Sequence, residues 1–210
     1  MVARRPGAAG LPRRVRRLLT GLVAMGAGIG LMADAGLGLG PWDVLHQGLA
    51  LRTGLSLGSL NIAVGVGVLL LWLPLRQRPG IGTVLNVLVI GLVVDLTLAL
   101  LPEPEHLAVR VPAMLGGVVL MGVGSGLYIG AGLGPGPRDG LMTGVAARGH
   151  SVRSVRTALE VTVLVLGWAL GGTVGVGTVV LALAIGPLVQ ASLEWLGLPA
   201  PTPAGEPAGR

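Results

Sequence analysis

The chain contains no cysteine, no lysine and no phenylalanine, a single tyrosine, and few charges of any kind. Each absence removes a class of function. Without cysteine there is no disulfide framework, no thiolate nucleophile and no Cys-ligated metal. Without lysine there is no Gly-x-x-x-x-Gly-Lys loop to hold a nucleotide phosphate, and His-Glu-x-x-His does not occur. No enzymatic activity and no cofactor are expected. His46, His106 and His150 are scattered without ligand spacing, so no metal is expected either.

Charged residues make up 11% of the 210, against about 25% in a soluble domain. With 52% hydrophobic residues and a mean hydropathy of +0.82, there is too little polar surface to coat a water-soluble globule. The chain reads as an integral membrane protein whose partner is the lipid bilayer. Its net charge of +6 does not argue for nucleic acid, because no stacking aromatics interleave with the basic residues. Arg4, Arg5, Arg13, Arg14, Arg16 and Arg17 all precede the first apolar run, where basic residues act as topology signals. A cleaved signal peptide is the rival reading of residues 1–35, but the run is as long as a true span and others follow it. Arginine in place of lysine, with abundant alanine and glycine, points to a GC-rich bacterial genome.

A transmembrane helix needs roughly 20 apolar residues. Six such segments are expected, at 17–35, 57–75, 82–101, 112–131, 157–174 and 178–196. Short loops rich in arginine mark the cytoplasmic side. The N-terminal arginines place residues 1–16 inside, RQRPG (76–80) returns inside, PEPEHLAVR (102–110) falls outside, and 138–156 returns inside with Arg138, Arg148, Arg153 and Arg156. The Pro/Gly-rich tail, 197–210, then ends inside, and only Arg52 violates the rule. The expected location is the bacterial inner membrane, multi-pass, with both termini cytoplasmic.

What the chain has in quantity is glycine, 38 residues of it, and some of it is arranged in a repeat. GLGLGPWD (36–43) returns as GLGPGPRD (132–139), and at an offset of 96 there are eight identities over thirteen positions from Gly36 to Gly48. Gly26, Gly28, Gly30 and Leu31 match Gly122, Gly124, Gly126 and Leu127 at the same offset. Further on, at 95, Gly80, Gly82, Thr83 and Val84 match Gly175, Gly177, Thr178 and Val179. Three ordered blocks at nearly one offset indicate duplication, of 17–101 onto 112–196 with 102–111 as the connecting outer loop. Each copy holds three spans, and an odd number makes the second copy enter from the opposite side. Two inverted three-span repeats are expected, with the two Pro-x-Asp phrases on opposite faces.

After each phrase comes a segment too short to span, 43–54 and 139–149. Asp43 and Asp139 stand where an N-cap would, offering oxygen to the free N–H groups of a first turn. The fold class expected is all-α, with six spans plus two half-length helices. Inverted-repeat carriers build sites from such half-helices. The candidate substrate path is therefore Gly40, Pro41 and Asp43 with Gly136, Pro137 and Asp139, joined by Asp95 and Asn86 inside the third span. The competing readings are caps for the two phrase aspartates, interfacial hydration for Asp95 and an interhelical hydrogen bond for Asn86. Glu160, four residues after Arg156, is expected to pair with it. The Gly-x-x-x-Gly spacings at 26/30 and 122/126 are expected to pack within the bundle rather than make a dimer, though a homo-oligomer stays open. The four tryptophans, 42, 72, 168 and 195, are expected to anchor at the interface.

GLGLGPWDVL (36–45) and GIGTVLNVLVIGLVVD (80–95), echoed by GLGPGPRDGL (132–141) and GVGTVVLALAIGPLVQ (175–190), resemble the bacterial YczE/YyaS/YitT family of multi-pass membrane proteins over most of residues 17–196. The resemblance implies a multi-pass inner-membrane protein and brings no substrate, catalytic residue or cofactor with it. The second copy departs from the first in having Gln190 where Asp95 stands. Two functions fit: secondary transport of a small solute, or a non-transporting accessory role that docks a cytoplasmic partner on 138–156. Transport predicts a wet cavity between the halves.

Overall fold

The computed structural model describes residues 10–102 and 104–197. The basic residues Arg4 and Arg5, Glu103 and nearly all of the expected tail lie outside the described residues. Those described are all-helical: α1 (Leu11–Ala35), α2 (Pro41–Thr53), α3 (Leu57–Leu75), α4 (Ile81–Leu100), α5 (Leu107–Ala131), α6 (Pro137–Ala146), α7 (Val152–Ala169) and α8 (Val176–Trp195). Five of them, α1, α3, α4, α5 and α8, are long and apolar enough to cross a membrane. The 18-residue α7 is not among these, because Arg153, Arg156 and Glu160 fall within it.

Three boundaries move from their expected places. α1 opens at Leu11 instead of 17, with Pro12 in its first turn, and so takes Arg13 to Arg17 into the helix. Proline suits that position because its missing N–H would have had no partner there. α5 opens at Leu107 and carries Pro112 in its own second turn. α7 begins at Val152, capped by the Ser151 side chain accepting from Ser154 N, so Glu160 lies in its middle and is paired with Arg156 at 2.9 Å.

The two long helices α1 and α5 form the centre and run antiparallel. A Cβ on Gly28 would lie 2.7 Å from the Gly117 carbonyl oxygen, and one on Gly117 would lie 2.7 Å from that of Gly28. Gly21 and Gly124 oppose each other in the same reciprocal way. Glycine is required at these crossings because the backbones touch. α4 flanks α1 and α8 flanks α5. The two Gly-x-x-x-Gly pairs serve these flanking contacts: Gly26 meets Val93 and Gly30 meets Thr97, while Gly122 meets Leu188 and Gly126 meets Ser192. The core of Leu18, Leu22, Ile29, Met32, Val94, Val118 and Tyr128 fills between them.

The half-length helices leave their own halves. α2 packs on α7, and α6 packs on α3. Gly48 brings α2 onto the Gly167 carbonyl, and Gly140 brings α6 onto the Trp72 ring. Arginines close the ends with the same reciprocity. Arg14 donates from Nε to Ala131 O at 2.8 Å, and its counterpart Arg110 donates from Nε to Ala35 O at 2.6 Å. Arg52 donates to Leu170 O at 3.1 Å, and its counterpart Arg148 donates to Pro74 O at 2.9 Å. Each side chain satisfies carbonyls that a helix end leaves without partners. Arg52, the exception to the charge rule, is thus one member of a matched pair.

Candidate functional site

The repeated phrase forms a turn that only glycine makes easily. Gly36 and Gly38 have φ of 60° and 117°, and Gly132 and Gly134 have 60° and 126°, all in the left-handed region. Each turn docks on the Gly-x-Gly-Thr that opens the last helix of the other half. Gly177 N donates to Leu37 O at 2.8 Å, and Gly82 N donates to Leu133 O at 2.9 Å. Thr83 Oγ1 accepts from Gly80 N at 3.0 Å and donates to Pro135 O at 2.7 Å. Gly175 N donates to Thr178 Oγ1 at 3.2 Å in the other copy. The two recurring motifs of the sequence are therefore a lock and its catch, exchanged between halves.

The chain next enters α2 and α6. Here Gly40 and Gly136 are the N-caps, with nearly identical backbones (φ −65°, ψ 157° and φ −64°, ψ 158°), and Pro41 and Pro137 follow as the first helical residues. Contrary to the sequence expectation, Asp43 and Asp139 are not the N-caps but stand three positions later. From there a carboxylate turns back towards the cap residue and the positive end of the helix dipole. Asp43 Oδ2 and Asp139 Oδ2 would lie 3.2 Å and 3.1 Å from a Cβ on Gly40 and Gly136.

The Pro-x-Asp phrases do not stay apart on opposite faces. Trp42 and Arg138, the two x residues, meet: the Arg138 guanidinium lies over the Trp42 ring, 5.2 Å from its centroid. Arg138 Nη2 donates to Asp43 Oδ1 at 3.2 Å, joining the first turn of α6 to the first turn of α2. The same Asp43 oxygen lies 3.4 Å from His46 Nδ1, one turn along α2. His46 Nδ1 is in turn 3.4 Å from Asn61 Nδ2 of α3. Asp43 and His46 are each 2% exposed, and Asn61 is also buried. Leaving one such buried charge without its partner costs about 3–5 kcal/mol.

The other candidates are divided. A Cβ on Gly136 would lie 3.1 Å from Asp139 Oδ2, 3.4 Å from the Tyr128 hydroxyl and 3.9 Å from Asn86 Nδ2, which gathers Asn86 and Asp139 beside the α6 start. Tyr128 Oη donates to Gly134 O at 2.9 Å. Asp95 stands elsewhere: it accepts from Ser56 Oγ at 2.6 Å and from Gly58 N at 2.7 Å, holding the N-terminus of α3. From sequence Trp42 reads only as an anchor and His46 as an isolated histidine, and neither Asn61 nor Arg138 is among the path candidates. A signal was present for His46, three residues after Asp43 and hence on the same helical face. Trp72 is no interfacial anchor either; it is 2% exposed and donates from Nε1 to Pro137 O at 3.0 Å. Trp168 and Trp195 are exposed, as anchors would be. The surface recesses along α7 (Arg153, Thr157, Val161) and along α1 (Leu11, Val15, Leu19) do not reach this cluster.

Residues 12–193 match a family model described as a family of unknown function, DUF6198. The chain belongs to that family. It is 45% identical over 174 residues to an "Uncharacterized protein" of Haemophilus influenzae, covering 82% of this chain and 80% of that one. It is 36% identical to the "Uncharacterized membrane protein YczE" of Bacillus subtilis, covering 82% of each, and 28% identical to "Uncharacterized protein YyaS" of the same organism, covering 75% of this chain and 81% of that one. The resemblance carried by the glycine phrases is therefore met at both YczE and YyaS. No solved structure matches. With its apolar helices, this chain is a multi-pass membrane protein of the YczE/YyaS type.

Proposed function

We propose that this protein is a secondary carrier for a small solute in the bacterial inner membrane. In this reading α7 is a sixth span, α1–α4 and α5–α8 are inverted repeats, and both termini are cytoplasmic. The observation that carries it is the Asp43–Arg138 pair. Two half-length helices, one from each half, begin against each other, and a charge from one half is bound by a buried charge of the other. Carriers of inverted design place their sites where broken helices meet, and ionisable groups kept inside a membrane are expensive enough to mark such paths. The antiparallel α1 and α5 and the reciprocal arginine pairs support the inversion. The cluster is tightly packed, so the cavity that transport requires belongs to a state in which the halves have moved and the pair has opened.

The accessory reading keeps the exposed stretch 147–154 as its surface, although several arginines around it are engaged within the chain. Within 138–156, Arg138 points to Asp43, Arg148 holds Pro74 O, and Arg156 is paired with Glu160. The test is uptake of a panel of small solutes into proteoliposomes. Asp43→Asn and Asp139→Asn should each reduce flux to background while the variants stay folded by thermal unfolding. If both variants unfold instead, the aspartates serve the helix starts alone, and the carrier reading fails.

A further inference from the structure

The cluster holds hydrogen-bond donors that no acceptor receives. A guanidinium carries five N–H groups, and Arg138 uses one, towards Asp43, while its side chain is still 33% exposed. Trp42 Nε1 is buried with no partner at all, on the ring that Arg138 covers. The nearest acceptor is shared: Asp43 Oδ1 faces both Arg138 and His46. The N-termini of α2 and α6 add the positive ends of two helix dipoles at the same place. What is missing is an acceptor, and a negative charge suits it best.

We propose that Trp42, Arg138 and the starts of α2 and α6 form a binding site for an oxyanion, namely the carboxylate group of a small organic solute. This deepens the carrier reading and rests on it for its role in flux. Asp43 then acts as an internal stand-in: it occupies Arg138 when no solute is bound. An entering carboxylate takes the planar guanidinium fork two-pronged, with the Trp42 N–H as a further donor, and releases Asp43 towards His46. Exchange of one carboxylate for another at Arg138 is how binding loosens the contact between halves.

The experiment measures binding without flux. The full chain in lipid nanodiscs is melted while sodium acetate is titrated, with sodium chloride, sodium phosphate and tetramethylammonium chloride in parallel arms. Acetate should raise the unfolding midpoint in a saturable way, and the other three should not. Asp43→Asn, which removes the internal competitor, should tighten acetate about tenfold, a sign opposite to that of a merely structural aspartate. Trp42→Phe should weaken it several-fold. Arg138→Lys, which keeps the charge and the fold but not the two-pronged geometry, should abolish saturable stabilisation. Stabilisation by tetramethylammonium or by phosphate in place of acetate overturns the proposal, as does an acetate effect that survives Arg138→Lys or is weakened by Asp43→Asn. Acetate binding with no flux of any carboxylate leaves this site standing and removes the carrier reading. Solute flux with no acetate binding does the reverse.

Discussion

At the scale of single residues, the duplication is written most plainly in side chains that hold the opposite half. Arg14 and Arg110 stand at matching places, and each grips the carbonyls ending the other half's first helix. A charged donor to a carbonyl contributes about 1.5–3 kcal/mol, so Arg110→Leu should lower stability in a reversible unfolding titration by that order, and Arg14→Leu by a similar amount. Unequal losses of several kcal/mol would show that the two contacts are not equivalent. Neighbouring glycines give a sharper contrast. A Cβ at Gly117 would meet the Gly28 carbonyl, whereas one at Gly116 meets nothing within 4 Å. Gly117→Ala should cost about 1–3 kcal/mol by forcing α1 from α5. Gly116→Ala should be neutral or stabilising by up to about 1 kcal/mol, since alanine is the better helix former.

At the scale of elements, the number and type of helices were legible because a length of apolar chain is itself the signal. The extents of α1 and α7 were not. Their first turns carry Arg13 to Arg17, or Arg153 and Arg156, and a hydropathy reading trims charged turns that the backbone nevertheless makes helical. The exchange of α2 and α6 between halves was also hidden, since identity at one offset states that two segments share a shape and not what each packs on. The site was half legible for the same reason. Asp43 and Asp139 stood out by recurring, while Trp42 and Arg138 did not, because they stand where the copies differ. The exchanged lock offers a test. Thr83 Oγ1 bonds both Gly80 N and Pro135 O, and Thr83→Val keeps the shape but orphans both groups. It should destabilise the protein by about 1–3 kcal/mol in the same unfolding titration, and Thr83→Ser should recover most of that.

At the scale of the molecule, everything follows from two halves laid head to tail about the α1–α5 contact, with their half-length helices meeting between them. In the inverted architecture we propose, the outer ends of those half-helices open on opposite sides of the bilayer. Gly54, after α2, and Gly149, after α6, are exposed and have nothing within 4 Å of an added Cβ, so a cysteine at either meets no neighbour and carries only the backbone strain of a positive φ, 75° and 103°. The chain has no cysteine of its own to confuse the reading. The deciding measurement is labelling of Gly54→Cys and Gly149→Cys, singly, with a membrane-impermeant maleimide on intact and on permeabilised cells. The inverted architecture predicts that Gly54→Cys reacts in intact cells and Gly149→Cys only after permeabilisation. Reaction of both from one compartment would contradict it.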